Sequence, residues 1–430
     1  MLKRIPPYLL VTVSAWISRI VTAIIQLVSI RILLVGLGTE RYAVYLLLAG
    51  LAGWYSLLDF GLGSSLQNFV AEQRAKSESY TAYVRTAALL ALPVLALVIV
   101  LLYLTAPLLA PLFLKQDGAL SVDEKTRAFF LSGVLFAGIA VGSIVYKLWY
   151  AEQKGYLANL LPAIASLLGL GGIWLVMNST LEGKLLGSLL AFNLPPAALS
   201  LLALARILVA TKEGCGASAV LLPLLRRALK FWVFSLMVAS TLQIDYLIMS
   251  QLLSAHDVVV YSITTRIFGI GYFLFSSLLT ALWSSFTEFM VQSRWDEIMH
   301  MLKRNLILGL LSMLAFTSTM ALSMPWVLTI LAPQDAGLHI PTSFILLVGA
   351  YQLVLIWVSV FSTVLQSASL LRVFLVWTPL QAFVSISGQW WLAQQYGVYG
   401  IILGLLLSYV VMAVWYLPLT LRRHIRERMA

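Results

Sequence analysis

Four charged side chains lie inside stretches of the sequence that are otherwise apolar enough to cross a lipid bilayer: Arg19, Asp59, Asp245 and Arg266. A charge at the centre of a membrane-spanning helix costs about 2.5 to 3.5 kcal/mol on insertion scales, so it persists where a partner, a cavity or a function compensates that cost. Arginine binds anions through paired hydrogen bonds, and an embedded aspartate can take up a cation or a proton.

The spacing of these residues predicts one Arg–Asp pair in each half of the chain. Helices rise about 1.5 Å per residue, so residues equally far from a hairpin turn lie at equal depth. Arg19 and Asp59 are equally far from position 39, which lies beside a glycine-containing turn at 36–39. Asp245 and Arg266 are each roughly ten residues from a turn at 254–257. Two interpretations stay open: structural ion pairs, or arginines that line a water-filled path and bind an anion while the aspartates hold them or take up a coupling cation.

Other candidate ligand groups lie near Asp59 and at the inner end of a predicted helix. Trp54 and Tyr55 can stack on a sugar ring, and Asn68 is one of several amides inside predicted spans. Such amides by default form hydrogen bonds between helices, and as a group they suit hydroxyl-rich ligands. Lys147 can attract a phosphate or extend to the membrane interface. The sequence predicts no catalytic residue and no metal site, and it contains no P-loop.

The elements that carry these residues are predicted to be transmembrane helices. The 430 residues are 61% hydrophobic and 10% charged, which is typical of an integral membrane protein. The apolar runs are continuous and rich in Leu and Ala, which favours helices over the alternating strands of a barrel. Twelve runs reach the length of about 20 residues that crosses a bilayer: 8–33, 42–70, 84–107, 128–150, 157–177, 185–210, 231–254, 258–290, 305–331, 342–367, 372–393 and 399–421.

A weak internal repeat divides the twelve spans evenly. The alignment of the two halves that superimposes Trp16 on Trp232 also superimposes Tyr45 on Tyr261, Gly53 on Gly269 and Arg206 on Arg422. Moving this alignment by one position superimposes two pairs of glycines, Gly183 and Gly187 on Gly400 and Gly404, which are predicted to allow close helix approach. The repeat predicts an N-terminal six-helix lobe over 1–210, a linker over 211–230, a C-terminal lobe over 231–421 and a basic tail over 422–430. Within the linker, 221–229 is predicted to form an amphipathic helix on the inner membrane surface.

The basic residues predict the orientation of the chain. The net charge is +11, and most of the 28 Lys and Arg fall in or beside loops and tails on one side of the membrane, together with both termini. Positive charge accumulates on the cytoplasmic side, so both termini are predicted to be cytoplasmic. Because topology accounts for the charge, nucleic acid is not predicted as a partner. The single cysteine, Cys215, lies in the linker and has no cysteine with which to form an internal disulfide.

Two patches of sequence resemble a known family. The stretch RILLVGLGTERYAVYLLLAGLAGWYSLLDFGLGSSLQNFVAEQ, residues 31–73, contains a Tyr after the outer turn and the element Asp59-Phe60-Gly61-Leu62-Gly63 before a basic inner loop. The second patch is Gln243-Ile244-Asp245-Tyr246-Leu247-Ile248, followed by Val260-Tyr261-Ser262 ahead of Arg266. Both resemble the O-antigen and polysaccharide-repeat flippases, the polysaccharide transporter branch of the multidrug/oligosaccharidyl-lipid/polysaccharide exporter superfamily.

This resemblance implies an all-α integral membrane transporter, not an enzyme, with twelve transmembrane helices in two pseudo-symmetric six-helix bundles that form a V and open alternately to each side. It implies a bacterial inner-membrane location and, as substrate, an undecaprenyl-pyrophosphate-linked oligosaccharide whose pyrophosphate Arg19 and Arg266 would bind. It further implies coupling to H⁺ or Na⁺ at Asp59 or Asp245 and no cofactor. The implied partners are membrane lipids, a polysaccharide polymerase and other assembly proteins.

Two other functions are compatible with parts of the sequence. A cation-coupled multidrug exporter of the same superfamily would share the fold, but cationic drugs favour a cavity with unpaired acids, and this chain has one embedded Arg for each embedded Asp. A membrane-bound polysaccharide polymerase or glycosyltransferase usually places its catalytic groups in large loops. The longest predicted outer loop here, Pro107 to Arg127, is short, and its Asp117, Asp123 and Glu124 are interpreted as solvated loop charges.

Overall fold

The apolar runs of the sequence form helices in the computed structural model of the protein, which describes residues 7–115, 120–211, 217–332, 337–368, 370 and 372–429. A helix satisfies its backbone hydrogen bonds within one segment, as a chain surrounded by lipid requires. Within these ranges the regular structure is helical and no strand occurs. The prediction of an all-α integral membrane protein is confirmed.

The helices are numbered in chain order, and η1 is a short 3₁₀ helix. Their bounds are α1 Pro7–Gly50, α2 Ala52–Tyr55, η1 Ser56–Asp59, α3 Leu62–Ala75, α4 Thr81–Phe113, α5 Val122–Gly142, α6 Ile144–Ala151, α7 Gly155–Asn178, α8 Lys184–Ala210, α9 Ala217–Leu242, α10 Asp245–Leu252, α11 Ala255–Val291, α12 Trp295–Leu331, α13 Thr342–Ser367, α14 Arg372–Tyr396, α15 Val398–Met412 and α16 Tyr416–Met429.

Nine helical segments of the described chain are long and apolar enough to cross a membrane, and α9 with α10 forms a tenth across a bend of 42°. The first segment, Val13–Asp59, has 47 residues and overlaps the first two predicted spans. Gly38 separates them, because its φ of 76° and ψ of 169° interrupt the helical backbone of α1 within the predicted turn. Every predicted span overlaps a helix, but twelve separate crossings are not confirmed.

Two compact units make up the chain. The first comprises residues 1–239 with 331–333, and the second comprises 240–330 with 334–430. The division falls within α9, so the predicted linker 211–230 belongs to the first unit. Residues 212–216, which include Cys215, lie outside the described part of the structure.

The predicted amphipathic surface helix is instead the first part of α9. Val220, Leu224 and Ala228 recur at every fourth position and are all buried. Leu224 and Ala228 pack into the same core cluster as Leu62 and Leu66 of α3. One face of the segment is thus covered by the protein, while Leu222, Leu225 and Leu229 are exposed, and its placement on the membrane surface stays a prediction.

Helices α1 and α7 pack side by side in the same direction. The Ser18 hydroxyl donates to the backbone oxygen of Asn159 at 2.6 Å, and a Cβ added to Gly36 would fall 2.1 Å from the sulfur of Met177. The two pairs have the same separation along the chain, so the register is constant over about 27 Å of helix. The first and fifth predicted spans thus run parallel, as alternating crossings require.

Three of the four paired glycines of the repeat allow close helix packing, and in the first half a Cβ added to Gly187 would fall 2.8 Å from Cγ1 of Val176. A Cβ added to Gly400 would fall 2.1 Å from the Leu392 backbone oxygen, and one added to Gly404 would fall 2.4 Å from the Gln389 nitrogen. These glycines allow the close approach of α14 and α15 that was predicted. Gly183 has open space around it and a φ of 78°, so its glycine is required by its backbone conformation and not by helix packing.

The predicted outer loop 107–127 is shorter than expected. Helix α4 continues to Phe113, and α5 begins at Val122. Asp123 and Glu124 lie in the first turn of α5, where Ser121 and Glu124 form a capping box. Their interpretation as loop charges is wrong, because they stabilise a helix N-terminus. Asp117 lies outside the described residues.

Candidate functional site

The second predicted span is broken between α1 and α3, where Asp59 lies. Phe60 and Gly61 adopt left-handed backbone conformations with φ of 49° and 74°. Gly61 also lies against α9, since an added Cβ would fall 2.3 Å from the backbone oxygen of Ala228. Trp232 fixes the break from the other side, because its indole nitrogen donates to the Leu57 oxygen at 3.0 Å. Both the backbone angle and the available space therefore require glycine at position 61.

Asp59 caps the helix that restarts after the break. One carboxylate oxygen accepts the Gly61 N–H at 2.8 Å, and the other accepts the Gly63 N–H at 3.3 Å. Amides at the start of a helix have no partner within the helix, and the helix dipole favours negative charge there. The aspartate is thus held by local backbone geometry, which gives it a structural role that does not need an arginine.

Lys147 is the cation that interacts electrostatically with the Asp59 carboxylate. A Cβ added to Gly63 would fall 3.0 Å both from an Asp59 carboxylate oxygen and from Cγ of Lys147, so the two side chains meet over this glycine. Lys147 is otherwise exposed. The depth argument named Arg19 as the partner of Asp59, whereas the structure gives it Lys147.

Arg19 lies near Tyr150, which follows Lys147 by about one turn on α6. It is exposed on α1 and interacts electrostatically with the Tyr150 hydroxyl. Tyr150 donates to the side-chain oxygen of Asn159 at 2.6 Å, and Asn159 donates to the Ser14 hydroxyl at 3.1 Å. Lys147, which interacts with Asp59, and Tyr150, which interacts with Arg19, are about 4.5 Å apart along α6. Ser18 lies beside Asn159, so the next residue of α1, Arg19, is level with residue 160 of α7. That level is about 8 Å from the start of α7 and away from the middle of the span.

The proposed sugar-binding residues differ in their surroundings. Tyr55 packs its ring 5.8 Å from that of Phe136, and a Cβ on Gly133 would fall 2.7 Å from its hydroxyl. Tyr55 is therefore packed against α5 within its own unit. Trp54 is half-buried in the same short helix, and Asn68 is exposed on α3. Of the three, Asn68 has the most accessible polar group.

Asp245 occupies a buried tyrosine cluster in the second unit. It is the first residue of α10 and is 8% exposed. Its carboxylate accepts hydrogen bonds from the Tyr261 hydroxyl and from the Tyr246 N–H, the latter at 2.9 Å. The rings of Tyr246 and Tyr261 meet edge to face at 5.9 Å. Both aspartates lie beside a break in a predicted span, and each accepts an amide at the start of the helix that follows the break.

Arg266 lies beside this cluster on α11 and is half-buried. It interacts electrostatically with Tyr246, while the hydrogen bonds of the Asp245 carboxylate come from Tyr246 and Tyr261. The predicted association of Arg266 with Asp245 is thus relayed through tyrosines. The chemistry available here is a protonatable carboxylate among hydroxyl donors, with a guanidinium nearby.

Sequence reasoning did not single out Tyr150, Asn159 and Tyr246 as neighbours of the embedded charges. Ser14 and Ser18 are one helical turn apart and therefore mark a polar stripe of α1, which packs against α7. That spacing was available in the sequence. The sequence does not reveal that Tyr150 and Asn159 lie near Arg19 and Ser14, because this depends on how α6 and α7 pack against α1.

Comparison with known proteins identifies the family. The chain is 32% identical over 419 residues to an O-antigen transporter of Salmonella typhimurium, and the alignment covers 97% of each protein. It belongs to the O-antigen transporter family. The resemblance noted in the two sequence patches is confirmed, and the protein is a membrane transporter. No family model matches the chain.

Solved structures show which fold the O-antigen transporter family shares. An inward-facing MATE multidrug resistance transporter of the MOP superfamily matches with a TM-score of 0.74 at 16% identity, covering 94% of this chain and 95% of the other. The lipid II flippase MurJ in an inward closed conformation matches with a TM-score of 0.71 at 12% identity, covering 96% and 87%. The fold is therefore that of MOP-superfamily transporters.

Proposed function

We propose that the protein is a flippase that moves an undecaprenyl-pyrophosphate-linked O-antigen oligosaccharide from the cytoplasmic to the periplasmic leaflet of the bacterial inner membrane. The observation that carries this proposal is the 32% identity with an O-antigen transporter over 97% of the chain. The fold shared with a lipid II flippase supports the same type of substrate, a sugar joined to a lipid carrier.

The physical task is to carry a charged head group past hydrocarbon. Unpaired buried charges and hydroxyls each cost several kcal/mol, so the sugar pyrophosphate needs protein groups in place of its hydration shell. Arg19, Lys147 and Arg266 offer cations for the pyrophosphate, and Arg19 and Lys147 are exposed on their own unit. Asn68 offers an accessible amide to the sugar and half-buried Trp54 offers an aromatic surface, whereas Tyr55 is packed against Phe136. Alternating access then moves the head group without breaking a bond.

The two aspartates are assigned different roles. Asp59 accepts two backbone amides at the start of α3, which supports a structural role. Asp245 is buried among tyrosine hydroxyls and has no cation within ion-pair distance among the described residues, which supports a role in binding the coupling H⁺ or Na⁺. A buried carboxylate that can take up and release a proton or a cation is suited to such coupling.

Vesicle reconstitution tests the anion sites. A fluorescent undecaprenyl-pyrophosphate sugar placed in one leaflet is followed by its accessibility to a membrane-impermeant quencher. Arg19→Ala and Arg266→Ala should each lower the initial flipping rate at least tenfold, because each removes a cation from the path. Arg31→Ala, an exposed arginine on the same helix as Arg19, is the matched control and should stay within twofold. Normal flipping in both test variants would overturn the assignment of these arginines.

The orientation is part of the proposal and has its own test. Both termini are assigned to the cytoplasm from the distribution of basic residues. Single cysteines introduced after Met429 and into the turn at 254–257, in a Cys215→Ser background, should react with a membrane-impermeant thiol reagent from opposite sides of the membrane. Labelling from the same side would exclude this topology.

A cation-coupled multidrug exporter is the second candidate, and the TM-score of 0.74 with a MATE transporter favours it as a fold. The exposed cations Arg19 and Lys147 disfavour cationic drugs as substrates. Uptake of a fluorescent cationic dye into the same vesicles distinguishes the two functions, because a flippase should not accelerate dye movement while it moves the lipid-linked sugar.

A further inference from the structure

The second unit contains a cavity of about 750 Å³ that is lined by none of the residues assigned to transport. It lies between the beginning of α12, the middle of α13 and the basic helix α16. Its apolar wall includes Leu302, Trp357 and Phe361. Trp357 is fixed in place, because its indole nitrogen donates to the Val414 oxygen at 3.0 Å and its ring lies 5.1 Å from that of Phe361. The wall is thus a preformed apolar surface of the size range that binds small ligands.

Three cations line the same cavity: Lys303, Arg422 and Arg426. All three are exposed, and no Asp or Glu belongs to the lining within the described residues. None of the three forms an ion pair within the part of the chain that the structure describes. Arg422 and Arg426 are one helical turn apart on α16, where two like charges repel each other. An anion bound between them would relieve this repulsion.

The first unit has a related cavity that serves as an internal comparison. It measures about 770 Å³, and its lining includes Leu202, Arg206 and Ala210. The repeat alignment that superimposes Trp16 on Trp232 places these three residues on Pro418, Arg422 and Arg426, which line the other cavity. The same face of the last helix in each repeat is therefore used.

The charge of this first cavity is different. Glu152 is part of its lining, and Lys154 is bound to Glu152 at 2.8 Å. That hydrogen bond raises the pKa of Lys154, so the lysine stays charged and committed to its partner. Arg206 is the remaining cation of the lining. The second cavity therefore carries three uncompensated positive charges where its counterpart carries one.

We propose that the cavity of the second unit binds one anionic glycerophospholipid of the cytoplasmic leaflet. Lys303, Arg422 and Arg426 hold the phosphate, and an acyl chain lies along the wall of Leu302, Trp357 and Phe361. The combination of cations and an adjacent aromatic wall fits an amphipathic anion better than free phosphate, which would leave the apolar wall exposed. The leaflet rests on the cytoplasmic orientation of α16 in the proposed function, whereas the site itself does not depend on the transported substrate.

Lipid retention by purified protein tests this proposal. Native mass spectrometry in detergent, titrated with phosphatidylglycerol or with phosphatidylcholine, should show one phosphatidylglycerol retained in preference to phosphatidylcholine. Lys303→Gln with Arg422→Gln should weaken phosphatidylglycerol binding at least tenfold, a loss of about 1.4 kcal/mol. Arg304→Gln with Arg423→Gln is the matched control, because these exposed neighbours remove the same charge from the same two helices without lining the cavity. The control should bind within twofold of the wild type.

Three outcomes overturn the proposal. Equal loss in the test and control variants would mean general attraction of anionic lipid to a basic surface. Unchanged binding in the test variant would place the lipid elsewhere. Displacement of the lipid by millimolar inorganic phosphate would identify a simple anion site. The measurement involves no transport, so its failure leaves the flipping assay of the proposed function unaffected.

Discussion

Substituting Asp59 separates a helix cap from an ion-coupling site. In the structure its two carboxylate oxygens accept the Gly61 and Gly63 amides at 2.8 and 3.3 Å. Losing an N-terminal cap costs about 0.5 to 2 kcal/mol, and losing a negative charge at a helix N-terminus costs about 0.3 to 1 kcal/mol. Asp59→Ala loses both contributions, about 3 kcal/mol at most. Asp59→Asn keeps a neutral acceptor and loses about 1 kcal/mol.

These free energies predict a graded loss of thermal stability. For a unit of this size, about 1 kcal/mol shifts the melting midpoint by about 2 to 4 °C. The midpoint should therefore fall by up to about 12 °C in Asp59→Ala and by about 2 to 4 °C in Asp59→Asn. Tryptophan fluorescence of the detergent-purified protein measures it. Asp123→Asn is the comparison variant, since it removes a negative charge from the first turn of a helix but leaves the cap, which Ser121 and Glu124 form; its ion pair with Arg127 is 67% exposed on each side and worth little.

The same variants also test coupling. If Asp59 is a cap, Asp59→Asn should flip lipid-linked sugar with the same dependence on the H⁺ or Na⁺ gradient as the wild type, within twofold. Asp245→Asn should lose that dependence while still purifying as a folded monodisperse protein. The reasoning is refuted if Asp59→Ala melts at the wild-type temperature, or if Asp59→Asn keeps its stability and loses its response to the gradient.

Four further substitutions test the geometry of the helix break, the tyrosine cluster and the glycine contacts. Gly61→Ala should destabilise by more than about 2 kcal/mol, because a left-handed backbone costs about 1 to 2 kcal/mol for other residues and the new Cβ would meet α9; a near-normal melting midpoint would contradict the described break. Tyr261→Phe removes a donor to buried Asp245 and should cost about 1 to 3 kcal/mol in thermal unfolding, with no change expected if the tyrosine were solvated. Gly404→Ala should cost about 1 to 3 kcal/mol by overpacking, whereas Gly269→Ala, with open space around it, should be neutral or stabilising by up to about 1 kcal/mol. Equal melting of the last two variants would argue against close contact of α14 and α15.

The sequence predicts well those features that depend on local composition. Long apolar runs need internally bonded backbone in lipid, so hydropathy finds the helices and a glycine-containing turn locates the interruption at Gly38. The close approach at Gly400 and Gly404 also follows from small residues spaced one helical turn apart.

Partners across helices are not predictable in this way. Lys147 meets Asp59 because α6 packs over Gly63, and Asn159 meets Ser14 because α7 lies in register with α1. Neither relation leaves a periodic signal in one sequence. The same holds for 221–229: its apolar stripe predicts an amphipathic helix, but periodicity does not reveal how much of that stripe is covered by lipid and how much by protein.

A polar residue inside an apolar span has two explanations that differ in what surrounds it. Where the span breaks, amides at the start of the next helix lack hydrogen-bond partners within that helix. An acid that accepts from them lowers the free-energy cost of the break and also the cost of burying the acid itself. The sequence marks this at Asp59 by the closely following Gly61 and Gly63, since a glycine permits the left-handed turn. At Asp245 the following residue is Tyr246, whose backbone N–H donates one hydrogen bond to the carboxylate. The Tyr261 hydroxyl, on a different helix, donates another. The hydrogen bonds to Asp245 come from two helices, so their movement would change its surroundings, whereas both backbone hydrogen bonds to Asp59 come from its own turn; this difference is the physical reason for proposing coupling at Asp245.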